Sequence, residues 1–215
     1  MQILQDTKKS IHCEGFMDFP KIKKQDVPNL HKLQWFTFKD AKSHYARGLD
    51  HKQCGIHFYT DDKWFESVWS KPDLYIDFLR GFGAVCTPDF SMYTDSPRAV
   101  QVYNRYRSMR LGQYWKSKGI VVIPTVCWSD YDSYKWCFDG LPKRGIVSVS
   151  SVGVMAADEK TKDRFRQGCI EMMQRVKPDQ IVWRGKVPTE FDWNIVKIND
   201  KGDLHFKQRH TKGRR

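Results

Sequence analysis

Ala84-Val85-Cys86-Thr87-Pro88-Asp89-Phe90-Ser91-Met92-Tyr93 begins as an apolar triplet, breaks at a proline, and then presents a carboxylate, a hydroxyl and two aromatic rings. A triplet this short, with Gly81 and Gly83 before it and Thr-Pro after it, predicts a buried strand rather than a helix. Beyond Pro97 a stretch of helical character holds Arg98, Arg105, Arg107, Arg110, Lys116 and Lys118 with no acidic residue among them. Ligands of open α/β sheets bind outside the carboxyl ends of the strands. The sequence therefore predicts a site at Asp89, surrounded by positive charge. Such a site suits an anionic partner, and nucleic acid is the first large anion to consider.

Reading outward, strands and helices alternate. Ile56-His57-Phe58-Tyr59 predicts a strand, and Thr60-Asp61-Asp62 is a helix-start signal ahead of Trp64, Phe65, Val68 and Trp69 at helical spacing. Pro72-Asp73 opens a further short helix through Leu74, Ile76, Phe78 and Leu79. The basic helix is expected to run from about Pro97, a good first-turn residue, to Gly119, a natural cap. Ile120-Val121-Val122-Ile123 is a third strand, extended past Pro124 to Val126, and a short helix over Asp132–Cys137 closes at Phe138-Asp139-Gly140. Ile146–Val149 is a fourth strand. A helix from about Glu159 to Val176 places Phe165, Cys169, Met172, Met173 and Val176 on one face, and Gln180–Trp183 is a fifth strand. This alternation predicts a single α/β domain, with a mostly parallel sheet of four or five strands and helices on both faces. Residues 1–54, where Lys8-Lys9, Lys21, Lys23 and Lys24 interrupt apolar residues, read as an arm wrapping a core of 55–200. Residues 201–215, with six Lys/Arg against one Asp, read as a basic tail.

At 215 residues the chain is long enough to bury a full core, and eight Trp argue against disorder. A net charge of +12 and a pI near 9.4 make nucleic acid, anionic membrane surface or a phosphorylated ligand the natural partners. The membrane option is disfavoured, because there is no long apolar run, secretory apolar region or lipidation motif; the chain reads as soluble and intracellular. The six cysteines are scattered without a Cys-x-x-Cys pair, which argues against a disulfide framework. His12-Cys13, and Cys54 with His51 and His57, fit no standard zinc spacing. The P-loop, dinucleotide-binding, nucleophile-elbow and His-Glu-x-x-His signatures are absent, and no cofactor is expected.

The candidate site residues each carry two readings. Asp89 is either a general base, or a carboxylate stabilising an oxocarbenium-like centre, or else a residue that turns the chain. Phe90 and Tyr93 either stack a flipped base or fill the core, and Ser91 contacts phosphate or caps a turn. Of Asp61 and Asp62, one is expected to cap the following helix and the other to face the cleft. Trp128 and Asp130, and Ser150 and Ser151, hold the equivalent position after the third and fourth strands. In a parallel sheet all four strand ends converge. Asp89 with Asp61 or Asp130 could hold a divalent metal for phosphodiester chemistry, but the Glu or Lys that nucleases add at short spacing is missing. In the basic helix Tyr103, Tyr106, Tyr114 and Trp115 interleave with the cations, as phosphate contact plus stacking would require; a solvated basic helix is the plainer reading.

Together His57–Asp62, Thr87–Tyr93, Ile123–Trp128 and Phe138-Asp139-Gly140-Leu141-Pro142 resemble a family of uncharacterised domains carried by phages, plasmids and other mobile elements of bacteria. The resemblance spans roughly 55–185. More distantly, the chain is similar to antiphage DNA glycosylases that remove modified bases from phage DNA. That likeness implies an architecture like uracil-DNA glycosylase, a short parallel sheet between helices. The Gly-Gln-Asp-Pro-Tyr motif of those enzymes is absent, and Pro88-Asp89-Phe90 stands at the equivalent strand end. The function so implied is excision of a modified base from double-stranded DNA by base flipping, in the cytoplasm of a bacterial host. Its alternatives are a non-catalytic DNA-binding or regulatory protein and, third, a metal-dependent nuclease.

Overall fold

The first element of the computed structural model, which describes residues 10–48 and 51–199, is a small antiparallel hairpin of β1 (Cys13–Glu14) and β2 (Phe19–Pro20). Strands and helices then alternate: β3 (Gln34–Thr37), α1 (Phe38–Tyr45), β4 (Cys54–His57), α2 (Ser67–Ser70), α3 (Ile76–Arg80) and β5 (Ala84–Cys86). They continue as α4 (Arg98–Ser117), β6 (Val122–Ile123), β7 (Ile146–Ser150), α5 (Glu159–Arg175), β8 (Gln180–Arg184) and β9 (Ile195–Lys197). All five expected strands are present, and β3 and β9 extend the array at its flanks. The single α/β domain with a mostly parallel sheet is thus borne out.

β3 to β6 form one parallel sheet and β7 to β9 another, each in chain order. A parallel bridge between Thr125 and Ser148 joins them, with Val126 N donating to Ser148 O at 2.8 Å and Ser148 N to Pro124 O at 2.9 Å. Seven parallel strands therefore follow one another across the fold. Because such crossovers are right-handed, strands in chain order put their helices on the same side. Ile56, Val85 and Val122 accordingly pack with Leu111 and Trp115 of α4, and Val147, Val149, Ile181 and Trp183 with Phe165, Cys169 and Met172 of α5. Deleting the fully enclosed Trp115 side chain would cost about 3–5 kcal/mol.

The helices are thus less evenly spread than the expected two-sided cover. The opposite face is closed by its own strands, which curl toward one another with the usual twist. Trp35, Ala84, Cys86, Ile123 and Val182 share one buried cluster there with Leu30 from the arm. Tyr59 Oη, just past β4, reaches Ser148 Oγ in β7 at 2.6 Å. β3 fits this face only because Gly55 opposite has no side chain: a Cβ there would stand 2.6 Å from the Trp35 ring.

β3 and α1 shorten the expected arm to residues before Gln34. What remains lies along α4. Ile22 seats against Gly112, Gln113 Nε2 donates to His12 O at 2.9 Å and Lys21 O at 3.3 Å, and Lys116 Nζ to Gln25 Oε1 at 3.0 Å. The predicted basic tail, 201–215, and Lys8-Lys9 lie outside the described residues. Among the described residues no helix is long and apolar enough to cross a membrane.

Candidate active site at the strand ends

Because the strands run parallel, their C-terminal residues meet at one end of the sheet. Tyr59 after β4, Asp89 and Tyr93 after β5, Trp128 after β6, Ser150 of β7 and Arg184 of β8 line a cleft of about 370 Å³. That is the lower end of the range for small-molecule sites. A recess of about 110 Å³, lined by Asp89, Cys127, Trp128 and Phe165, adjoins it.

Asp89 carries the unusual electrostatics. Its carboxyl is pushed up from 3.8 to about 7, first by burial and then by the neighbouring Asp62 carboxylate; a hydrogen bond from Cys127 and the positive charge of Arg184 oppose the rise. Asp62 is held in place by Ser91, whose backbone N and Oγ donate to it at 3.1 and 3.0 Å. Asn104 Nδ2 of α4 in turn donates to Ser91 O at 2.6 Å. Burial and the Asp89 charge push the Cys127 thiol well up, so it acts as a donor and not as a nucleophile. Burial raises Tyr59 in the same way. Thr60 Oγ1, on the cleft wall, is enclosed without a hydrogen-bond partner. The arrangement offers one carboxyl able to gain or lose a proton near neutrality, next to a cation and between aromatic rings.

Trp128 stands on Phe165 of α5, with ring centroids 5.2 Å apart. Gly168 makes room for it, since a Cβ there would lie 2.2 Å from the indole nitrogen. Tyr93 is 65% exposed and stands at the mouth. Ser91 and Ser150 also line the cleft as expected.

Four expected site residues lie elsewhere. Asp61 is exposed and paired with Lys63 at 3.2 Å, while its neighbour Asp62 turns toward Asp89. Asp130 accepts from Ser133 N at 3.0 Å and pairs with Arg98 at 3.3 Å, closing a turn. Phe90 is buried against Phe65, with the Arg107 guanidinium 3.7 Å from its ring centroid. Ser151 is buried, accepting from Trp183 Nε1 at 3.2 Å and donating to Lys186 O at 2.7 Å. Tyr59, Thr60, Asp62, Cys127 and Arg184 enter the site in their place. The strand-end rule, applied one residue further along the first and fifth strands, would have found Tyr59-Thr60 and Arg184.

The cations of α4 are a second correction. Arg105 is fully buried and donates to Thr125 O at 3.0 Å. Arg107 is buried between Glu66 at 2.5 Å and Asn104 Oδ1 at 2.7 Å, and Arg110 is buried beside Tyr114. Lys116 holds the arm, Lys118 lies over the Tyr114 ring, and Arg98 pairs with Asp130 and Asp132. The helix has no acids of its own because its partners come from other elements; its arginines hold the interior together and do not form an open basic face. Among the described residues no three His, Cys, Asp or Glu side chains gather as metal ligands would.

A curled parallel sheet with a carboxyl-bearing cleft at its strand ends defines this chain as an α/β domain with one principal site. It belongs to the family described as "Domain of unknown function (DUF4417)", which matches residues 11–201. It is 34% identical over 187 residues to the Gene 1 protein of Mycobacterium phage L5, covering 86% of this chain and 81% of that protein. The Gene 1 protein of Mycobacterium phage D29 is likewise 34% identical over 187 residues, 86% of this chain and 69% of that protein. The phage-associated family expected from the sequence is therefore the one found. No solved structure matches the chain.

Proposed function

We propose that the chain is a DNA N-glycosylase that draws a modified base out of double-stranded DNA into the strand-end cleft. The observation that carries this reading is the Asp89 carboxyl, raised to about 7 on the wall of a cleft that also holds Trp128 and Tyr93. The two aromatic rings clamp the flipped base, and Thr60 and Ser150 offer it polar contacts. As the base departs, the sugar gains positive charge. Ionised Asp89 faces that charge and takes a proton from the attacking water. Arg184 balances the negative charge of the leaving base. The overall charge of +12 draws the chain to DNA, with α4 supporting the cleft from within. Phage DNA is the substrate we test first, because the relatives are proteins of phages.

The test is incubation with phage DNA rich in modified bases, followed by aldehyde-reactive labelling of abasic sites. The wild-type chain should produce them, and Asp89→Asn should produce about a hundredfold fewer while binding the same DNA. Binding without abasic sites in either form would instead mark a non-catalytic DNA-binding protein.

A further inference from the structure

At the other end of the sheet, before β7 and β8 begin, lies a pocket of about 480 Å³ that the strand-end chemistry does not use. Its walls include Phe138, Asp139 and Leu141 of the Phe-Asp-Gly-Leu-Pro run, the start of the loop into β7, and the C-terminal turn of α5. Two carboxylates and four cations line it, and the carboxylates are already answered. Glu14 pairs with Lys21 at 2.9 Å, and Asp139 with Arg175 at 2.9 Å. Lys143, Arg144 and Lys177 are left exposed, and none of the ion pairs among the described residues involves them. The pocket thus carries an uncompensated positive charge, with narrow edges of the buried Phe138, Leu141 and Val176 at its floor.

The backbone adds an independent observation. Arg144 at φ +52° and Lys177 at φ +50° are both left-handed, a conformation that glycine adopts freely and long side chains do not. Arg144 N bonds Val176 O at 3.1 Å, so the two strained turns are tied together at the pocket rim. A cation stands at both positions where glycine would relieve the backbone. Strain of this kind gathers at ligand sites.

We propose that this pocket is a second binding site, taking a small phosphorylated ligand of nucleotide size: its phosphate meets Lys143, Arg144 and Lys177, and its uncharged part sits over the pocket floor beside Phe138 and Leu141. The volume suits a small molecule more than a helix, and Lys143, Arg144 and Lys177 line one pocket, as cations that form charge-assisted hydrogen bonds to a phosphate would. The proposal is independent of the glycosylase reading and survives its failure.

The experiment is calorimetric titration of the full chain with adenosine 5′-monophosphate, with inorganic pyrophosphate as competitor. Saturable binding is expected, displaced by pyrophosphate and weakened by added salt. The double variant Lys143→Ala/Lys177→Ala should weaken it at least about tenfold, while Lys71→Ala, an exposed cation elsewhere, should leave it unchanged. Lys177→Gly should weaken binding yet keep or raise the thermal midpoint, since it removes the charge and the strain together. Absence of saturable binding, or binding that the double variant leaves intact, overturns the proposal.

Discussion

Asp89→Asn should stabilise the fold, and do so only above acidic pH. The carboxyl titrates at 3.8 when exposed and at about 7 in the cleft, chiefly because burial penalises its charge and Asp62 adds repulsion. The folded state therefore binds this proton more tightly than the unfolded chain. The sign follows: the group imposes no penalty below pH 3.8, stability falls as pH rises from 3.8 toward 7, and the full penalty stands above 7. Each tenfold change in proton affinity is worth about 1.4 kcal/mol, so the charge costs on the order of 4 kcal/mol at alkaline pH. Asparagine keeps the shape and can still accept from Cys127, but it carries no charge. Urea unfolding of both forms at about pH 4 and about pH 8 measures the difference. The variant should match the wild type at the lower pH and exceed it by a few kcal/mol at the higher. A gap of the same size at both, or a variant weaker at both, would refute the reasoning and make Asp89 an ordinary turn residue.

Other perturbations follow from the same contacts. Excision by the wild-type chain should rise about tenfold per pH unit up to about pH 7 and then level, because the working form of Asp89 is ionised; a single-turnover pH profile reads this. Gly168→Ala would push a methyl toward the Trp128 indole nitrogen, 2.2 Å away. It should cost about 1–3 kcal/mol by thermal melting and lower excision by displacing the ring. Arg105→Met should leave DNA affinity unchanged in a filter-binding assay, since Arg105 is fully buried and turned inward to Thr125 O.

Much of the fold was legible because its apolar runs are short, clean and punctuated. Ala84–Cys86 and Gln180–Trp183 lie between Gly83 and Pro88 and between Asp179 and Gly185, and their strands fall there to within a residue; Ile56–Tyr59 was read two residues late, because β4 (Cys54–His57) runs through Gly55. β3 was hidden because Trp35-Phe36 is flanked by Lys32 and Lys39, so four residues of strand look like part of a basic arm. Asp89 and Trp128 were legible from the strand-end rule alone. Asp61 against Asp62 was not, because adjacent side chains point apart and only the fold shows which one meets Ser91. The α4 arginines misled for a related reason. A run of cations without acids looks solvated until Glu66 and the carbonyl of Thr125 arrive from distant segments.

The central claim is that this cleft breaks the bond between base and sugar, and the products decide it. Modified phage DNA is incubated with the chain, and the small-molecule fraction is analysed by mass spectrometry for free base while the strands are sized under mild conditions. Free modified base, with strands intact until the abasic sites are cleaved and about a hundredfold less base released by Asp89→Asn, is the predicted result. No free base, or strands cut directly with every base still attached, would contradict it.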